Sequence, residues 1–440
     1  MEAEIVEFPD AFPFFVREEG IAINTGLIVP REVLEEMEDP VGDIVETIRN
    51  EKIDFPFKRF TLSIEEADKM FIAAKEHKAE WGTLQYSLKG FDDDPLFPPI
   101  FHPITFTPND SDDFRDNNDL IAIGSQKPIY VLDNKSSSLY WEVNVITDFF
   151  VEPSRVKGYR TGNSIYNAWF HDEHFLKTVV TEAIKEHGEI TPHTLREAIY
   201  SARVFQECPH ERVTFTVDMF RMLTSHIDGI PLIFDPCGGY GDRLLAAMCM
   251  EADYVGVEPN SDSHYGFREM IERYGNDDTE KYNMLNDYMP TASLPVNLIS
   301  QGADLSMISP PSFDSEKYSE DEGQSIAIYP ERDTWLVKFL FQTIHRTWTL
   351  LKYNRYLIIQ SILAKEINAY IRMRFPDAIF IGAITVNNNC RYKPMWIWLK
   401  TLDFKQQDLI GSKITNKSQY ESRFSKQVLE SIKNGEDTTY

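Results

Sequence analysis

From Pro231 onward, short apolar runs alternate with amphipathic stretches. The runs are Leu232–Phe234, Tyr254–Val257, Leu305–Ile308, Tyr356–Ile359, Ala378–Ile384 and Met395–Leu399. Runs this short, separated by segments of helical period, predict a parallel sheet with helical crossovers in a three-layer α/β domain. The pattern places that domain at 230–405. Residues 146–229 read as a helical preface, because His171–Lys185, His193–Val204 and Phe215–Leu223 carry apolar residues three and four apart. Residues 1–145 are mixed and rich in aromatics. Ile64–Lys78 has helical spacing behind Ser63 as an N-cap, while Ile129–Leu132 and Tyr140–Val145 read as strands. Pro98, Pro99, Pro103 and the polar run Asn109–Asn118 read as loops. The expectation is an N-terminal α+β accessory domain, with 406–440 as a polar C-terminal tail.

Composition narrows the classes. The 440 residues are 42% hydrophobic and 26% charged, which excludes a wholly disordered or collagen-like chain. The net charge of −26 excludes a general basic coat, so any nucleic-acid site must be local. Residues 351–440 hold 14 basic against 8 acidic side chains, whereas 1–150 hold 13 against 31. A polyanion is therefore expected near the C-terminal end, at Arg372, Arg374, Arg391, Lys393, Lys400 and Lys405, with Tyr392, Trp396 and Trp398 interleaved. That spacing suits the solvated face of a core strand, or else a groove that tracks phosphates and stacks bases. The acidic N-terminal region is the candidate surface for a protein partner.

Cys208, Cys237, Cys249 and Cys390 have no C-x-x-C spacing, so neither a disulfide framework nor a structural zinc site is expected. The cluster His171, Asp172, Glu173 and His174 has no third ligand nearby, so no metal is expected there. No apolar run reaches ~18 residues, and the N-terminus has no basic-then-apolar leader pattern. An intracellular, reducing setting is the resulting expectation, in cytoplasm or a viral factory, with no membrane role.

The strand Leu232–Phe234 ends in Asp235, and the turn Pro236-Cys237-Gly238-Gly239-Tyr240-Gly241 leads into a helix. In a doubly wound sheet this first β–α turn is where a nucleoside ligand crosses, and glycines let the backbone approach it. About 20 residues on, the next strand ends in Glu258, placed to accept hydrogen bonds from two ribose hydroxyls. Asp242 at the helix start, beside Asp235, suits a cationic ligand better than a pyrophosphate. That preference selects S-adenosylmethionine over a dinucleotide.

A third signal is the strand that runs into Ser309-Pro310-Pro311-Ser312-Phe313. Two successive prolines fix the turn and remove two N–H donors, leaving carbonyls and the Ser309 hydroxyl as acceptors for an exocyclic amine. With these residues in order, the chain resembles the Rossmann-fold S-adenosylmethionine-dependent amino-methyltransferases. The branch it resembles most is the one found in large DNA viruses and phages. The resemblance runs through Asp235–Leu244, Gly256–Asn260, Ser309–Tyr318, Gln324-Ser325, Trp335–Leu340 and Lys393–Trp396, with Asp148, Phe149, Phe150, Glu152 and Arg155 upstream. It implies that Asp235, Pro236, Gly239 and Gly241 line the methionine part of the cofactor and that Glu258 holds the ribose; Asp287 is a candidate for contacting the adenine, or equally a solvated loop acid. It further implies that Ser309, Pro310 and Pro311 hold the amine while Phe313 faces the base. The implied reaction is methylation of a nucleic-acid base, adenine ahead of cytosine and DNA ahead of RNA. Ser312 stands where the family carries an aromatic, and Lys352-Tyr353-Asn354 where it carries a glycine pair. Those departures leave a second reading, a catalytically degenerate scaffold or virion-associated protein.

Overall fold

A computed structural model describes residues 3–7, 25–77, 81–88, 120–122, 128–132, 143–160, 162–313, 315–319, 322–361, 363–386, 395–402 and 421–439. Its strands are β1 Glu4–Glu7, β2 Thr25–Ile28, β3 Trp81–Leu88, β4 Leu120–Ala122, β5 Pro128–Leu132, β6 Leu232–Asp235, β7 Asp253–Val257, β8 Tyr282–Leu285, β9 Ala303–Ile308, β10 Leu351–Ile359, β11 Ala378–Val386 and β12 Met395–Lys400. The last ten form one sheet in the order β4-β3-β5-β11-β12-β10-β9-β6-β7-β8. Strands β8, β7, β6, β9 and β10 are mutually parallel, and β12 lies antiparallel between β10 and β11. The chain lays β6, β7 and β8 outward to one side, then crosses to β9 and β10 on the other. That reversal between β6 and β9 is a topological switch point, where open α/β sheets hold ligands at the carboxyl ends of their strands.

Alternation along the strands sends Ile233, Tyr254, Leu305 and Ile358 to one face of the sheet. Phe234, Val255 and Val257, and then Leu357, Ile359, Trp396 and Trp398, face the other way. The helices Asn144–Arg155, Val213–Thr224, Asp242–Met250 and Ser261–Tyr274 pack on the first face. The π-helical turn Leu336–Phe341, its continuation Gln342–Leu350, and Ala364–Arg374 pack on the second. The result is the three-layer Rossmann-like sheet expected from the sequence.

Several local expectations change. Val143–Val145 is not strand: a helix runs Asn144–Arg155, because Ile146, Phe149, Phe150 and Pro153 share a helical face while Asp148 and Glu152 share another. The expected helix His171–Lys185 is found as Glu173–His187, with His171 ending a separate helix, Ile165–His171. They break at Asp172, whose side chain accepts the Phe175 N–H at 3.0 Å. Ser63 caps Ile64–Glu76 in a reciprocal capping box with Glu66, as its spacing predicts. Of the last segment, whose polar sequence suits a helix or a loose tail, the described residues 421–439 contain a helix. Helix Lys426–Lys433 buries Val428 and Ile432, and the fully buried Asp437 accepts from Arg374 and from the Tyr370 hydroxyl at 2.8 Å. The run Asn109–Asn118 lies outside the described residues. The region before residue 145 shares a core with the helical preface and a sheet with the α/β domain. Leu27, Ile44, Phe55 and Phe57 pack with Trp169, Phe175 and Val179, and β3, β4 and β5 extend the sheet beyond β11.

Candidate functional site

The glycine turn after β6 is built by an ion pair behind it. Asp235 is fully buried and accepts from Arg243 Nε at 2.6 Å, the Tyr254 hydroxyl at 2.6 Å and the Cys237 N–H at 3.2 Å. Burial works against the Arg243 charge, but Asp235 beside it more than compensates and raises the pKa of the guanidinium. Arg243 also donates to the Cys237 carbonyl, so the helix after the turn grips the turn itself. Gly238 N–H donates to Val257 O at 2.8 Å, lacing the turn to β7. Gly239 holds φ +58, and a Cβ there would meet nothing nearer than 3.7 Å. Backbone at this point is thus open to close approach by a ligand.

Glu258 follows β7. One carboxylate oxygen accepts the Gly239 N–H at 2.8 Å and the other accepts the Asn260 N–H at 3.0 Å. Burial pushes its pKa up to about 7, although those two backbone donors pull the other way. Ser309 follows β9 and Gln360 follows β10. Ser309 Oγ donates to Gln360 Oε1 at 3.1 Å, and the Gln360 N–H donates to Ile308 O at 2.9 Å. The Pro310 carbonyl accepts no hydrogen bond from the described residues.

These pieces open onto one cleft of about 1480 Å³. Pro236, Gly238, Gly239, Glu258, Ser309, Pro310 and Pro311 all line it. Its far wall is the helical preface, with Arg155, Arg196 and His210, held close by a two-way backbone bridge between Tyr159 and Lys317 at 2.8 Å. Several orphaned polar atoms belong to lining residues, the Tyr240 and Tyr288 hydroxyls among them. Asn260 Oδ1 and Gln324 Nε2 are buried with no hydrogen-bond partner among the described residues. An acceptor and a donor left this way point to a ligand that brings both complements.

Other expected site residues stand elsewhere. Asp235 lies behind the turn, its oxygens taken, and does not line the cleft. Gly241, φ +87, serves packing: a Cβ there would lie 2.8 Å from Phe267. Asp287 accepts from Tyr288 N–H at 2.7 Å and Ser293 N–H at 3.1 Å, closing its own loop, while its neighbours Tyr288 and Met289 do line the cleft. Phe313 does not face the cleft. Its N–H turns back to Pro311 O at 3.2 Å, and its ring packs edge-on against Trp335 at 5.5 Å.

The charge argument for a cationic ligand also changes. Asp242 accepts from His210 Nδ1 at 3.1 Å, Thr147 Oγ1 at 2.5 Å and the Glu211 N–H at 3.0 Å. Protein cations thus satisfy both loop acids, and of the two strand-end carboxylates, Asp235 and Glu258, it is Glu258 that lines the cleft. Burial, and then Asp235, raise the Cys237 thiol well above its ordinary range, so it sits neutral against the neighbouring core.

Of the C-terminal cations, Lys400 is buried and donates to Trp348 O and Leu351 O at 2.7 Å, and Arg374 is held by Asp437. Arg372 donates to Asn368 at 3.4 Å. Trp396 and Trp398 are core residues, while Arg391, Tyr392, Lys393 and Lys405 lie outside the described residues.

The sequence reading missed Asn260, His210 and Gln360. Only Asn260 carried a signal, standing two places after Glu258.

No protein-family model matches the chain, and no curated protein matches it. Solved structures similar to part of it include an rRNA methylase from Streptococcus thermophilus, at 9% identity over 44% of this chain and 99% of that one, TM-score 0.29. A putative class I S-adenosylmethionine-dependent methyltransferase from Listeria monocytogenes matches at 13% identity over 48% and 68%, TM-score 0.33. A human methyltransferase 10 domain containing protein matches at 13% over 44% and 84%, TM-score 0.31. The strand order, rather than these likenesses, establishes the architecture.

Proposed function

We propose that the chain is an S-adenosylmethionine-dependent methyltransferase acting on an exocyclic amine of a nucleic-acid base, adenine ahead of cytosine and DNA ahead of RNA. Its motifs ally it with the branch of large DNA viruses and phages. One observation carries the reading: Ser309-Pro310-Pro311 opens onto the same cleft as the Gly238-Gly239 turn and Glu258. The lining fits an adenosine-bearing cofactor. Glu258 offers a carboxylate to a ribose diol, and the orphaned Asn260 and Gln324 atoms supply an acceptor and a donor for a polar heterocycle. Such a cofactor would supply an electrophilic methyl group on a positively charged sulfur.

The chain's own part is orientation. Ser309 Oγ and the Pro310 carbonyl accept the amine N–H groups, which turns the nitrogen lone pair outward and draws off positive charge as it develops. The prolines hold those acceptors without competing donors.

Titration calorimetry with S-adenosylmethionine, followed by S-adenosylhomocysteine release on DNA and on RNA, tests this. Binding with turnover on a nucleic acid is the expected result. Binding without turnover on either would instead support the degenerate scaffold, and failure to bind the cofactor at all would remove the basis for a methyltransferase.

A further inference from the structure

We infer that Gln360 reads the ring nitrogen beside the target amine, so that the site selects amines conjugated to an adjacent lone pair. The inference rests on the base-methylation reading above and specifies how that site recognises its substrate. Ile359 lies in register with Ile308 of β9 on one side and Trp396 of β12 on the other. The residue after it, Gln360, is therefore a neighbour of Ser309 at the carboxyl edge, and its N–H bond to Ile308 O at 2.9 Å pins it there.

The 3.1 Å bond from Ser309 Oγ to Gln360 Oε1 sets the polarity of both side chains. It consumes the Ser309 proton, so the serine oxygen meets a substrate as an acceptor. It holds Oε1 toward Ser309, which leaves Nε2, a donor only, to meet a substrate. Nε2 makes no hydrogen bond with the described residues, and both Ser309 and Gln360 line the cleft. The corner thus offers an acceptor beside a donor. Its complement is an N–H beside a lone pair.

The 6-amino group of adenine beside ring nitrogen 1 carries that pattern, as does the 4-amino group of cytosine beside ring nitrogen 3. A lysine side chain has no adjacent acceptor and would leave Nε2 unpaired, which a site built for that bond rejects strongly. The position of Phe313 strengthens the point. With that ring turned into the core against Trp335 and Ser312 beside it, the double-proline corner holds no aromatic of its own. Discrimination at the corner falls to polar contacts.

The test compares oligonucleotides carrying adenine or cytosine with the same strands carrying 1-deazaadenine or 3-deazacytosine, in which a C–H replaces the ring nitrogen. Both kcat/KM for methylation and the dissociation constant without cofactor are measured, for wild type and for Gln360→Glu. That variant keeps the acceptor for Ser309 and removes the donor. For wild type, the deaza change is expected to cost about tenfold in kcat/KM, the scale of one lost hydrogen bond. For Gln360→Glu the natural base falls by a similar factor and the deaza penalty shrinks to about twofold or less, with dissociation constants moving in the same sense. An equal deaza penalty in both proteins would overturn the role of Gln360 while leaving base methylation intact. Absence of methylation on every oligonucleotide by the folded wild type, or methylation of a glutamine-bearing peptide in their place, would overturn the base reading and the inference with it.

Discussion

His210 lies between two carboxylates, and its protonation carries a measurable share of stability. Nε2 lies 2.6 Å from Asp148 Oδ1, and Nδ1 lies 3.1 Å from both oxygens of Asp242. Only the doubly protonated ring can donate to both partners. The surrounding cluster joins four acids, Asp148, Glu152, Glu207 and Asp242, to four bases, Lys58, Arg155, Arg196 and His210. With every group ionised the cluster is neutral only if His210 carries its charge. Burial alone would lower the imidazole pKa, as would the nearby Arg155, but Asp148 and Asp242 raise it from 6.5 to about 9.

One pKa unit corresponds to about 1.4 kcal/mol, so that rise ties roughly 3 kcal/mol of stability to the imidazolium. A raised folded-state pKa means the contribution is fully present below the unfolded value of 6.5 and is lost as pH climbs through 9. The expected gap between wild type and His210→Gln is about 3 kcal/mol at pH 6, about 2 at pH 7.5 and close to nothing at pH 9.5. Guanidinium denaturation of both proteins at those pH values measures it through the shift in midpoint. Titrations elsewhere in the chain cancel in the difference. A gap that stays constant across the range, or widens with pH, would refute the bridge.

Three further outcomes are expected. In calorimetry, wild-type affinity for S-adenosylmethionine rises as pH passes through about 7, where the Glu258 carboxylate ionises; Glu258→Gln binds about tenfold more weakly at pH 8 and loses the pH dependence. Ser309→Ala keeps cofactor affinity within twofold but lowers methyl transfer by roughly 100-fold, a loss in kcat that radiolabel transfer under saturating cofactor detects. Arg243→Met strands the buried Asp235 charge and lowers stability by about 3–5 kcal/mol in denaturant titration, whereas the paired change with Asp235→Asn recovers part of that loss.

The parts of the fold written as contiguous apolar runs were legible. Leu232–Phe234, Tyr254–Val257 and Leu305–Ile308 all sit in strands because both faces of a central parallel strand are covered. Strand β8 escaped notice because it lies at the sheet edge: only Tyr282 of Tyr-Asn-Met-Leu is buried, so no hydrophobic run announces it. The site divides the same way. Gly239, Glu258 and Ser309 could be found because each ends or follows a strand at a motif spacing. Gln360 has no motif around it, and only the pairing of β10 with β9 brings it beside Ser309. The His210 cluster was invisible as a whole, since its members run from Lys58 to Asp242. Its one local trace is the i, i+4, i+7 spacing of Asp148, Glu152 and Arg155 on a single helix.

Acidic residues at a glycine turn invite the inference that they attract a cation, and in this chain that inference places the charge wrongly. Asp235 and Asp242 each hold a protein cation, and through it they fix the start of the helix that shapes the turn. Their work is mechanical, because a buried carboxylate with a buried guanidinium or imidazolium is directional and costly to break. Around the glycine turn and the double-proline corner the lining is mostly neutral, with Ser309, Gln360, Asn260 and Gln324, while the helical preface brings ion-paired charges such as Arg155, Arg196 and Glu207. Glu258 is the exception, and burial keeps it near the midpoint of its titration at neutral pH. A cleft lined this way can distinguish ligands by where donors and acceptors stand. On the cofactor side Glu258 is the acid whose titration falls near neutrality, so the two pH dependences should run in opposite senses, cofactor binding strengthening through about 7 while stability falls between 6.5 and 9.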